Sequence, residues 1–133
     1  MKKRTILTRI ALIIMVICVS ACGNPKQKIA EQLAKEINDQ KSLISNSQVR
    51  IDYAEVLPNF TVKTNSTIFG VDGTDFFMTE EILNETKQMM LSTFKTQPEI
   101  LKVKDAGISL LYSYADENGI FLYEIAINPE DFD

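Results

Sequence analysis

Apolar residues recur at Ile29, Leu33 and Ile37, with Ala30 and Ala34 beside them. This is a narrow stripe with the period of a helix. Asn24-Pro25 before it is a helix start: asparagine caps, and proline suits the first helical position. Gln27, three residues after the cap, and the Glu31/Lys35 pair add local support. The spacing predicts a helix over about 25–42, closed by the polar loop Ser45-Asn46-Ser47. From Gln48 to Leu57 the period changes to two. Val49, Ile51, Tyr53 and Leu57 alternate with Arg50 and Asp52, which predicts a half-buried strand. Pro58-Asn59 reads as a turn. Phe60 to Phe69 reads as a second, antiparallel strand whose face Thr61, Lys63, Asn65 and Thr67 is solvated.

A loop over 70–75 precedes Thr79, a cap residue followed by Glu80 and Glu81 at the positive end of a helix. Ile82, Leu83, Thr86, Met89, Met90, Thr93 and Phe94 line one face of that helix, over about 80–95. The stretch Pro98 to Lys104 fits either a short helical turn or an extended piece. Ile108 to Ala115 and Ile120 to Asn128 are two strands around Asp116-Glu117-Asn118-Gly119, in which Asn-Gly tolerates the positive φ of a hairpin turn. Phe121, Tyr123, Ile125 and Ile127 fall on one side of the last strand, and the acidic tail Pro129 to Asp133 is expected to fray. The order helix, hairpin, helix, hairpin predicts an α+β domain: an antiparallel sheet of about four strands with helices on one face.

The first 21 residues follow another pattern. Lys2, Lys3, Arg4 and Arg9 precede an uncharged apolar run, Ile10 to Val19. About ten residues of helix span ~15 Å, half a bilayer core, so the run is a signal segment rather than a membrane span. Val19-Ser20-Ala21-Cys22 then resembles the bacterial lipobox. That resemblance implies cleavage between Ala21 and Cys22, with a diacylglycerol thioether and an amide-linked fatty acid such as palmitate on Cys22. It implies a signal peptide over 1–21, a short tether over 22–25 and one domain over 26–133. Gly23 is not the aspartate that retains lipoproteins in the inner membrane, so in a Gram-negative host an outer-membrane address is implied.

Cleavage changes the balance of charge. The chain has 14 basic and 18 acidic residues, and four of the basic ones lie in the first nine positions. Residues 22–133 therefore carry a formal charge of −8, which argues against a phosphate-backbone partner such as nucleic acid. Of the two cysteines, Cys18 leaves with the signal and Cys22 carries lipid, so no disulfide forms within the mature chain. There is no histidine, which excludes serine–histidine and cysteine–histidine catalysis and imidazole metal sites.

The remaining polar clusters read as structure. Asp72-Gly73-Thr74-Asp75 lacks the ligand spacing of a calcium loop and reads as a turn. Asp116, Glu117 and Asn118 belong to the hairpin, and Glu80, Glu81 and Glu85 to a helix start. Tyr53, Tyr112, Tyr114 and Tyr123 read as sheet packing. No catalytic, metal or cofactor residues emerge, and the chain reads as a non-enzyme. Met89, Met90 and Phe94 are the candidate partner-binding residues, because methionines adapt to a partner's shape.

The order of elements after a lipidated helix, with the run Pro98, Gly107-Ile108, Tyr112, Tyr114, Asp116 and Asn118-Gly119, resembles the α/β pilotins of type II secretion systems. The resemblance implies a lipid-anchored chaperone that faces the periplasm, binds a secretin subunit and carries it to the outer membrane. Where that family has a disulfide between its second helix and last strand, this chain offers Met90, Leu91 and Ile127. The alternative is an exclusion or immunity lipoprotein that blocks phage, plasmid or toxin entry.

Overall fold

The computed structural model describes residues 24–133; the signal segment, Ala21, Cys22 and Gly23 lie outside the described residues. Of the tether, Asn24 is the cap and Pro25 the first residue of helix α1 (Pro25–Ile44). The Asn24 side chain accepts from the Lys26 N–H at 3.0 Å. Gln27 turns instead to Glu31, and Lys35 pairs with Asp39 rather than Glu31. Ala30 and Ala34 are buried, which lets α1 lie close on the sheet.

Strands β1 (Val49–Leu57) and β2 (Thr61–Ile68) form an antiparallel hairpin around residues 58–60. Asn59 and Phe60 both have positive φ, at 67° and 57°, so Phe60 belongs to the turn rather than to the strand. Helix α2 (Glu80–Phe94) and the short helix α3 (Pro98–Asp105) lead to β3 (Ser109–Ala115) and β4 (Phe121–Ile127), the second antiparallel hairpin. Pro98 at the first turn and buried Ile100 and Val103 settle the ambiguous stretch as helix. The sheet order is β1-β2-β3-β4. The α+β class and its element order are as the sequence predicts, with one difference: β2 and β3 at the centre run parallel. Their connection passes through α2 and α3, and a crossover of that length returns the chain in the same direction, which a tight turn cannot do.

One face of the sheet is covered by helices. Val62, Ile108 and Ile127 are almost fully buried there with Leu110, Ile125 and Leu91. Each such aliphatic side chain contributes roughly 1.5–3 kcal/mol by leaving water. A bulge between Ile51 and Tyr53 reverses the phase of β1. Ala54 therefore turns into the core, and Tyr53, expected beside Val49 and Ile51, is 49% exposed. Thr67, on the face of β2 read as solvated, is also buried. Its hydroxyl donates to Asp52 at 2.6 Å and accepts from the Arg50 guanidinium at 3.2 Å. The tail does not fray but forms a 3-10 turn, Pro129–Phe132, capped by Asn128 and Asp131. Lys87 pairs with Asp131 at 3.0 Å, and Phe132 packs on the core.

The outer edge of β1 is closed by side chains of α1 and of Ser45, its C-cap. Asn38 accepts from the Ala54 N–H at 2.8 Å and donates to its carbonyl at 2.9 Å. The Ile51 N–H donates to the Ser45 hydroxyl at 2.9 Å, and Lys41 donates to the Asp52 carbonyl at 3.2 Å. Asn38→Ala should lower stability by about 1–2 kcal/mol, read as a lower midpoint in urea; an unchanged midpoint would mean that water replaces the amide without loss.

Candidate functional site

The loop over 70–79 is fastened to the β3–β4 hairpin by one buried carboxylate. Asp116 is 2% exposed. One of its oxygens accepts from the N–H groups of Asn118 and Ile120, at 2.9 and 2.8 Å, and the other from Gly73 at 2.8 Å. Gly73 is required by close approach, because a Cβ there would lie 2.6 Å from Ile120 Cγ2 and 2.8 Å from the carboxylate. Asp72 closes the same loop locally, accepting from the Thr74 N–H and hydroxyl. Burial pushes the Asp116 carboxyl up, but the three backbone donors outweigh it and hold it below the usual carboxylate range.

This fastening places Phe76-Phe77-Met78 alongside the start of β4. Phe76 stacks on Tyr123 at 5.9 Å, and Tyr123 on Tyr114 at 4.7 Å. Beside the stack is a cleft of about 470 Å³, lined by Phe76, Phe77, Leu83, Phe121 and Leu122, with Glu80 and Glu124 among its polar residues. Phe77 is 82% exposed and Phe121 59%. Burial raises the three tyrosines of β3 and β4, Tyr112, Tyr114 and Tyr123. Tyr114 is pushed up to about 12, with the neighbouring Tyr123 adding to the effect, and Tyr112 goes higher still. These phenols stay neutral at physiological pH, so the ring stack adds no charge beside the cleft. Among the described residues, no group of three or more Asp, Glu, Cys or His side chains is arranged to hold a metal ion.

The three candidate partner-binding residues separate. Met89 is 72% exposed on the outer face of α2, beside Glu81, Glu85 and Gln88. Met90 and Phe94 pack against the core, and the Phe94 ring lies 5.9 Å from Tyr112. The buried stripe of α2 runs through Leu83, Met90, Leu91 and Phe94, leaving Ile82 and Met89 outside. Ala21 and Cys22, the candidate cleavage and lipidation residues, lie outside the described residues. Sequence reasoning missed Phe77, Phe121 and Glu124. The run Phe76-Phe77-Met78 ahead of a polar helix cap was the available signal. Phe121 was hidden by an irregularity: Ala115 pairs with Phe121 but Tyr114 with Tyr123, so Phe121 falls out of the phase of Tyr123 and Ile125. A second cleft, of about 810 Å³, separates α1 from α3, with Ile29, Leu33 and Val103 on its walls and Lys28, Glu36, Glu99 and Lys102 around it.

No protein-family model matches the sequence, and no curated protein is similar to it in sequence. Solved structures share its architecture. A Pseudomonas aeruginosa protein provisionally described as secreted superposes with a TM-score of 0.60 at 7% identity, over 84% of this chain and 99% of the other. The pilotin EpsS of the Vibrio vulnificus type 2 secretion system gives 0.50 at 10% identity, over 80% and 97%. The chain shares its fold with a pilotin. The Vibrio cholerae pilotin AspS gives 0.46 at 18% identity, over 80% and 98%. The likeness to the Vibrio vulnificus pilotin is one of architecture, at 10% identity.

Proposed function

We propose that this protein is a lipid-anchored, non-catalytic binding module, held to the outer membrane through Cys22, that acts as a pilotin-like chaperone for a secretin subunit. The observation that carries this reading is the apolar cleft between Phe77, Leu83, Phe121 and Leu122, on a fold shared with a secretion-system pilotin. Exposed aromatic side chains around a concave apolar surface are what a protein partner buries. Cys22 sits two residues before the cap of α1. A lipid there would keep the module within a tether length of the membrane that its cargo must reach.

A photo-crosslinking amino acid in place of Phe77, in cells, should capture an outer-membrane secretin subunit, and deleting the gene should reduce that subunit's arrival in the outer membrane. Capture of no outer-membrane protein would remove the chaperone reading. Capture of a phage, plasmid-transfer or toxin component would favour the exclusion lipoprotein instead.

A further inference from the structure

The two edges of the sheet are not equivalent. The outer edge of β1 is closed by Ser45, Lys41 and Asn38, which take the backbone groups of Ile51, Asp52 and Ala54. The outer edge of β4 has no such cover. Among the described residues, no side chain and no backbone group outside β3 is hydrogen-bonded to the backbone of Phe121–Ile127. Natural sheets rarely leave a seven-residue edge open beside exposed aromatic rings, because such an edge is a template for another strand. Here the aromatic cleft of Phe77, Phe121 and Leu122 lies beside the first four residues of that strand, Phe121–Glu124.

We propose that the β4 edge accepts an extended segment of another protein by strand addition, and that this segment alternates apolar residues with lysine or arginine. The proposal rests on the reading of the chain as a protein-binding module and states how it binds. Charge selects the occupant. Glu124 stands exposed in the middle of β4, Glu80 lines the same cleft, and Glu81 and Glu85 follow on the exposed face of α2. A second copy of this chain is disfavoured, because antiparallel pairing of two β4 edges about their centres brings two Glu124 carboxylates together, and like charges opposed across strands repel. A basic strand meets the same residues as partners. Main-chain hydrogen bonds would supply affinity, the Phe77–Phe121 cleft would take one apolar side chain, and Glu124 and Glu80 would fix register and partner choice.

The test uses the full chain in detergent micelles and a peptide of about ten residues, long enough to span an ordinary strand, alternating valine and lysine. Hydrogen exchange should slow about tenfold at the fast amides of Phe121–Ile127, while β1 is unchanged. A peptide with two valines replaced by proline, and one alternating valine and glutamate, should give no protection. Glu124→Lys should weaken the valine–lysine peptide about fivefold, the measure of one exposed ion pair, and admit the glutamate peptide. Absence of protection at β4, protection at β1, or equal protection by the proline peptide would overturn strand addition. The Phe77 crosslink separates the two failures. Capture of a secretin with β4 unprotected would leave the chaperone and remove the edge mechanism. Protection of β4 with no secretin captured would leave the edge an acceptor and remove the chaperone.

Discussion

The Cys22→Ala chain should incorporate no radiolabelled fatty acid and should fail to reach the outer membrane as a mature lipoprotein. The expected effect is all-or-none, because the residue is the attachment atom itself. Each buried methylene contributes ~0.8 kcal/mol, a single acyl chain binds only reversibly, and a second or third makes the anchor effectively permanent. No helix among the described residues is long and apolar enough to cross a membrane. With a formal charge of −8 over residues 22–133, the domain would also be repelled by anionic lipid surfaces. Unlabelled precursor should accumulate, or unlabelled chain should appear in the soluble envelope fraction. Undiminished labelling of the variant would refute the lipobox reading and with it the proposed localisation.

How much of this molecule was legible beforehand follows the range of the interactions. Features set by neighbours in sequence could be read: the Asn24 and Thr79 caps, the hairpin turn, in which Gly119 alone takes positive φ, and the apolar side of α1, where Ala30 and Ala34 are buried and Ile29 is left 38% exposed. Features set by contacts across the fold could not. A bulge at Asp52 adds one residue to β1 and costs little locally, yet it reverses the side chains beyond it, so strict alternation misplaced Tyr53. A second irregularity beside Tyr114 did the same to Phe121 and concealed a wall of the cleft. Strand polarity depended on a crossover through two helices, one of which Pro98–Lys104 left ambiguous. Met89 and Met90 could not be told apart by spacing alone; the rotation of α2 that buries Met90 and leaves Met89 outside is fixed by Leu83, Leu91 and Phe94 packing on the core. The Asp116–Gly73 bond spans 43 residues. From sequence, Asp116 is only a turn residue, and half of its role is invisible.

That bond carries the second large expectation. Asp116→Ala should lower Tm by about 10 °C at neutral pH. It would strand the N–H groups of Gly73, Asn118 and Ile120, which now share one carboxylate, and would release the loop that presents Phe76 and Phe77. Asp116→Asn keeps the shape but sets an amide N–H₂ against backbone donors, so it should fall between wild type and alanine. The pH dependence has a definite sign. The folded carboxyl is held below its ordinary value, so its contribution is complete above an unfolded aspartate pKa of about 4 and disappears as pH falls through the lower folded value. The difference in Tm between wild type and Asp116→Asn should therefore be widest at pH 7 and close in acid. Asp131 is also held low: burial raises its carboxyl, but the Asn128 N–H and Lys87 outweigh that. Both chains keep it, so some acid sensitivity remains in the variant. A gap that stays constant down to pH 2 would show that the charge on Asp116 is not what fastens the loop. If the fastening also holds the cleft open beside β4, Asp116→Asn should weaken peptide protection of Phe121–Ile127 at temperatures where the domain is still folded. Unchanged protection would assign Asp116 to stability alone.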